Sequence, residues 1–172
     1  MTGSVAAPRS APRDSLAISV AVAALVVAID QATKHWAVNR LSGGRTIHVL
    51  WTLQFNLTFN SGMAFSRGRG LGPVIGVVAL VVVAGLLVNL RRAGSRTSTI
   101  AVGMVVGGAL GNVADRLLRG DAFLRGAVVD FIDFQWFPIF NVADIAIDVG
   151  GALLIIGMFL DPHRRGRTGG SS

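Results

Sequence analysis

The chain has no cysteine, no glutamate, a single lysine (Lys34) and only three histidines, His35, His48 and His163. Without cysteine there is no disulfide framework, no thiol nucleophile and no thiolate-bound metal. Three scattered histidines argue against a zinc site as well. All nine acids are aspartate, and fifteen of the sixteen basic residues are arginine. What the chain has in plenty is apolar length: 52% of its 172 residues are hydrophobic and the mean hydropathy is +0.61. Those residues are gathered into long runs, which excludes a soluble globular domain, a disordered chain and a disulfide scaffold. The net charge of +7 comes from arginines in the tails and between apolar runs. It therefore reads as membrane topology, with no nucleic-acid partner.

Four segments are long enough to cross a hydrocarbon core of ~30 Å, which takes roughly 20 helical residues. They run from about Leu16 to Trp36, Leu71 to Leu90, Ile100 to Leu118 and Ile139 to Leu160. The first has a signal-sized apolar stretch, Leu16–Ile29, but no small-residue cleavage site follows it, and it is read as a retained span. Arg9 and Arg13, then Arg91, Arg92 and Arg96, then Arg164, Arg165 and Arg167 put both ends and the middle loop in the cytoplasm. The outer segments hold arginines too, at lower density and mixed with acids. The expected fold is an all-α polytopic membrane protein with one membrane domain over residues 15–162. Segments 1–14 and 163–172, rich in Gly, Ser, Pro and Arg, are expected to be disordered tails.

Between the first two spans, every odd position from Ile47 to Phe59 is apolar and all even positions but Leu50 are polar. Period two predicts a small extracytoplasmic β ribbon, within about residues 44–66, with one greasy face toward membrane or substrate. Ionisable groups in spans are costly and each raises a functional question. Asp30 and Lys34 stand at i,i+4 in the favourable order, an ion pair that by itself reads as a helix-end anchor. Gly103, Gly107 and Gly111 form a small-residue stripe for close helix packing, beside Asn112, Asp115 and Arg116. Arg116 is expected to neutralise Asp115. Asn141 and Asp144 read as the cap and first turn of the last span, and Asp148 lies one turn deeper, where capping does not explain it.

Asp130 is set among Val and Phe, which raise a carboxyl pKa, whereas Asp144 stands at a helix N-terminus, which lowers one. Two carboxyls that share a proton can hydrolyse a peptide bond. The ionised one activates water, and the protonated one polarises the carbonyl and donates to the leaving amine. Composition leaves few other hydrolytic routes, but pattern alone does not choose the pair among Asp115, Asp130, Asp133, Asp144 and Asp148.

Five blocks in order resemble the lipoprotein signal peptidase (signal peptidase II) family of bacterial membrane aspartyl peptidases. They are Asp30-Gln31-Ala32-Thr33-Lys34, Asn60-Ser61-Gly62-Met63-Ala64-Phe65-Ser66, Gly107 through Arg116, Val128-Val129-Asp130-Phe131, and Phe140-Asn141-Val142-Ala143-Asp144. The resemblance implies that Asp130 and Asp144 are catalytic, with Asp30, Lys34, Asn60, Gly62, Asn112, Asp115, Arg116 and Asn141 supporting the site or positioning substrate. It implies a diacylglyceryl-modified prolipoprotein as substrate, cut before the lipidated Cys, no metal or other cofactor, and a monomer in the bacterial inner membrane with its site near the outer face. The chain departs from the family at Arg119–Ala127, which is several residues longer than in many members and ends in Ala127 where His is common. That stretch is either a lid or a tolerated insertion. Competing readings are a small transporter or ion-binding membrane protein, a non-catalytic scaffold, and a serine–lysine peptidase using Ser61 and Lys34.

Overall fold

The computed structural model describes residues 12–62, 71–89 and 95–160. In chain order the elements are α1 (Pro12–Leu41), β1 (Thr46–Leu50), β2 (Leu53–Asn60), α2 (Gly72–Asn89), α3 (Arg96–Leu118), β3 (Val128–Asp133) and α4 (Val142–Leu160). Three helical stretches, Asp14–Leu41, Arg96–Leu118 and Val142–Phe159, are long and apolar enough to cross a membrane. The fourth expected span is the shorter apolar stretch Gly72–Val88, and its expected end at Leu90 lies outside the described residues. The chain is therefore multi-pass, with three to four apolar helices. Helix α1 begins at Pro12. The tail segments 1–11 and 163–172 fall outside the described residues.

Helix α3 is the central element, packed on α1, α2 and α4. Ser95 caps it, accepting a hydrogen bond from the Ser98 amide at 3.1 Å. The glycine stripe explains the close packing. A Cβ at Gly107 would stand 2.8 Å from the Ala23 carbonyl oxygen of α1, so the two backbones touch there. Helix α2 meets α3 through Ala79, Val83 and Leu86 against Val102, Val106 and Ala109, while Val77, Val78, Val81 and Val88 are exposed, as lipid-facing residues are.

The expected ribbon is part of a three-stranded antiparallel sheet in the order β1-β2-β3. A tight turn at Trp51 and Thr52 breaks the period-two stretch into a hairpin that pairs Ile47 with Phe55. The third strand, β3, comes from the segment between α3 and α4 and pairs with β2, placing Thr58 opposite Asp130. No alternation marks this segment as a strand in the sequence, because both faces of β3 are covered. Part of the greasy face also turns elsewhere than expected. Phe55 and Leu57 pack with Phe131 against Trp36, Ala37 and Leu41 of α1, and Trp36 meets Phe55 edge-on at 5.3 Å. The sheet is thus bolted to the end of α1. After β3 the chain doubles back: the Phe131 and Ile132 amides both donate to the Phe140 carbonyl, at 3.0 and 2.9 Å. That reversal sets Asn141 beside Asp130.

Candidate active site

The aspartates sort by partner. Lys34 Nζ stands 2.8 Å from Asp30 Oδ2, 2.9 Å from Asp115 Oδ2 and 2.9 Å from Asn112 Oδ1, so its three protons meet three acceptors. All three charged side chains are fully buried. The pair expected to anchor a helix end is therefore the centre of a buried junction of α1 and α3. Asp115 takes its second cation from Arg119 at 2.8 Å, and its Oδ2 also accepts from the Val129 amide at 3.1 Å. Arg116, expected to neutralise Asp115, makes no direct ion pair with it among the described residues, and its charge acts on Asp130, Asp115 and Asp144 together. Arg116 Nη1 instead donates to the Asn112 carbonyl at 3.2 Å. Asp30 reaches across to α4 as well, accepting the Ala143 amide at 3.0 Å, one of the donors that a helix start leaves free.

Gln31 and Arg119 are structural members of this junction that the motif reading passed over. Gln31 Nε2 lies 3.2 Å from Asp30 Oδ2, Asp115 Oδ1 and the Gly111 carbonyl. Gly111 leaves the room they need, since a Cβ there would stand 2.6 Å from Asp30 Oδ2. Gly111→Ala is therefore expected to destabilise the protein by about 1–3 kcal/mol, as overpacking does, by pushing Asp30 off Lys34. Thermal unfolding in detergent checks it, and an unchanged melting temperature would contradict the packing described.

Asp130 and Asp144 have a different environment: only amide groups hydrogen-bond them, and neither forms an ion pair among the described residues. Asn141 links them. Its Nδ2 donates to Asp130 Oδ1 at 2.6 Å, while its backbone N–H donates to Asp144 Oδ2 at 3.1 Å and its Oδ1 accepts from the Asp144 amide at 3.0 Å. The last two bonds form a reciprocal capping box at the start of α4. The capping role expected of Asn141 is thus present, and the same side chain also holds the second carboxyl.

Two further asparagines complete the arrangement. Asn112 Nδ2 donates to Asp144 Oδ1 at 2.8 Å, its orientation fixed by Lys34 at its Oδ1. Asn60 Nδ2 donates to Asp130 Oδ2 at 3.2 Å and its Oδ1 accepts from the Gly62 amide at 3.0 Å. Gly62 has φ +94°, and a Cβ there would meet the Gly72 backbone nitrogen, so glycine is required twice over. Met63, Ala64, Phe65 and Ser66, the end of the same block, lie outside the described residues.

Burial is the main cause that pushes the Asp130 carboxyl up to about 6, with the Asp144 charge adding to it and the Asn141 and Asn60 amides opposing it. Asp133, three residues on, goes the other way. The Gln54 amide at 2.7 Å leads the donors that hold its carboxyl below the usual range, and the Gln135 backbone N–H at 2.6 Å adds to it. Asp133 fastens the sheet, and Asp115 is committed to two cations. Of the five aspartates left open by the sequence pattern, Asp130 and Asp144 are the two brought together.

Asp144 faces a cleft of about 330 Å3. Its walls are Asn60 and Gly62 at the sheet end, Ile75 and Ala79 of α2, Ala109, Asn112 and Arg116 of α3, and Ile147 of α4. The buried Arg116 Nε has no hydrogen-bond partner among the described residues. Within the Arg119–Ala127 stretch, Leu124 is fully buried and packs on Gly76 of α2. Chemically the arrangement offers two carboxyls linked through Asn141, Asp144 on the cleft wall and the buried Asp130 with its pKa raised to about 6, with Arg116 on the same wall.

The family model for signal peptidase (SPase) II matches residues 22–160. A "Lipoprotein signal peptidase" of Mycobacterium avium is 42% identical over 156 residues, covering 90% of this chain and 85% of that protein. A protein of the same name from Bifidobacterium longum is 40% identical over 145 residues, covering 84% of this chain and 79% of its own length. A bacterial membrane enzyme solved by the in meso method at 1.9 Å resolution superposes with a TM-score of 0.72 at 29% identity, covering 83% of this chain and 93% of that one.

Proposed function

The chain belongs to the signal peptidase II family and is a peptidase; from that premise we propose that Asp130 and Asp144 form its catalytic pair and cut diacylglyceryl-modified prolipoproteins before the lipidated Cys. The observation that carries the reading is the Asn141 bridge, which ties the buried Asp130 to Asp144 on the wall of the cleft. Asp144 stands at the positive end of the α4 dipole with two N–H donors on its oxygens, and takes the part of the ionised carboxylate that activates water. Asp130, raised to about 6, supplies the proton that polarises the scissile carbonyl and then passes to the leaving amine. Arg116, on the cleft wall, keeps a positive charge near both carboxyls. The supporting residues act through these two: Lys34 orients Asn112, Asp30 fastens the start of α4, and Asn60 with Gly62 holds Asp130.

The make-up of the cleft supports that substrate. Ile75, Ala79, Ala109 and Ile147 give it an apolar length open between α2 and α4, and the polar groups gather at the sheet end. A membrane-inserted signal segment fits the first part and the bond beside an acylated Cys falls at the second. With the termini in the cytoplasm by the positive-inside rule, that end lies at the outer face of the inner membrane.

The test is cleavage by the purified protein in liposomes of a precursor carrying the diacylglyceryl group and of the same precursor with an unmodified Cys. Mass spectrometry of the products is expected to show a cut directly before the Cys in the lipidated form, and at least about tenfold slower turnover of the bare form. Equal cleavage of both, or a cut elsewhere, would overturn the substrate assignment.

A further inference from the structure

The Arg119–Ala127 stretch has no part in the mechanism above. Both of its ends are tied to the last turn of α3. Arg119 pairs with Asp115 at 2.8 Å, and the Gly126 N–H donates to the Arg116 carbonyl at 2.9 Å. Near the far side of this closed loop stands Leu124, fully buried between the exposed Phe123 and Arg125. Its φ of +58° is one that a bulky residue rarely adopts, and such a conformation persists only where its surroundings impose it.

The surroundings are the start of α2. Gly72 and Gly76 stand four apart and share one face, which carries no side chain of its own. That face is a notch for Leu124. A Cβ on Gly76 would stand 3.0 and 3.1 Å from the two Leu124 methyl carbons, and one on Gly72 would stand 3.3 Å from the Leu124 carbonyl oxygen. Ile75 and Ala79, also four apart, make the neighbouring face and line the cleft. Among the elements α2 packs substantially on α3 alone, and the apolar core between those two runs from Ala79 onward. The first turn of α2 precedes that core. It rests on Leu124 and on the backbone of Ser61 and Gly62, at the sheet end of the cleft.

Resting on the peptidase reading for its functional half, we propose that Leu124 is a positioning residue for substrate. The loop is a bracket from α3 to α2, neither a lid nor an idle insertion. It holds the Ile75 and Ala79 wall at a fixed distance from Ile147 of α4, and so keeps the cleft fitted to a bound signal segment.

The chain has no cysteine, so paired spin labels can be placed without background on the full-length protein in liposomes. Val74→Cys with Val149→Cys reports α2 against α4 at the cleft end, and Val88→Cys with Phe159→Cys reports the far end of the same helices; all four positions are exposed. Dipolar electron spin resonance is expected to give wild-type distance distributions as narrow at the cleft end as at the far end. Leu124→Ala is expected to widen and shift the cleft-end distribution by about 1–2 Å or more, the scale on which packed helices slip, and to leave the far end unchanged. Leu124→Met refills the notch and is expected to restore it. With a lipidated precursor, Leu124→Ala is expected to raise KM about tenfold and keep kcat within about twofold, since a loosened wall weakens ground state and transition state alike. A residue that merely adds stability would lower the melting temperature and move neither the distance nor KM. A cleft-end distribution that is already the broader one in the wild type, or that Leu124→Ala leaves unchanged, overturns the bracket. A displaced wall with unchanged KM overturns the positioning role. If the wild type cleaves no precursor, the peptidase reading falls and takes that role with it, while the distances still decide whether Leu124 holds α2.

Discussion

Lys34→Met is expected to be the most destabilising single substitution in the protein, by about 3–5 kcal/mol. The side chain is fully buried and satisfies Asp30, Asp115 and Asn112 together. Removing it leaves two carboxylates with less than their share of positive charge in a medium that does not solvate them. Asp115 keeps Arg119 and the Val129 amide, so the loss falls mainly on Asp30, which keeps the Ala143 amide and Gln31. Activity goes as well, because Asn112 loses the partner that turns its Nδ2 toward Asp144. The double variant Lys34→Met/Asp30→Asn removes the stranded charge while its remaining oxygen can accept from Ala143. It is expected to recover most of the melting temperature and little of the activity. A Lys34→Met protein that melts like the wild type would contradict the buried junction.

Asp130→Asn and Asp144→Asn are each expected to lower turnover by about a thousandfold or more, the scale set by loss of a positioned acid or base acting as one unit with its partner. Their stability separates a catalytic carboxyl from a structural one. The folded pKa of Asp130, about 6, lies above the unfolded value, so the folded chain binds that proton more tightly. The wild type therefore loses stability as pH rises from about 4 to about 6, by at most about 3 kcal/mol from this group. Asp130→Asn escapes that loss. Part of the gain is offset because its amide nitrogen faces the Asn60 donor, while the remaining oxygen still accepts from Asn141. The inactive Asp130→Asn protein is thus expected to melt at or above the wild type at pH 7 and to lose that relative advantage by pH 4. Thermal unfolding across that range checks the sign.

The particulars show what sequence can carry. The Asp30–Lys34 pair was readable because i,i+4 spacing on a helix is a geometric fact. The same rule selects Arg119 for Asp115, and assigning Arg116 instead neglected that neighbours in sequence diverge on a helix. Asn141 and Asp144 were readable as a cap because the box is local. The reach of Asn141 to Asp130 was not, since it depends on the chain turning back at Phe140 onto Ile132. The strand β3 left no alternation to find, being covered on both faces. The apolar face of β2 was visible, but its cover by Trp36 depends on where α1 ends against the sheet.

The most direct measurement is single-turnover cleavage of a lipidated precursor in proteoliposomes by equal amounts of folded wild type, Asp130→Asn and Asp144→Asn. The two-aspartate account predicts product from the wild type and none above background from either variant over the same interval. Full cleavage by either variant would contradict it.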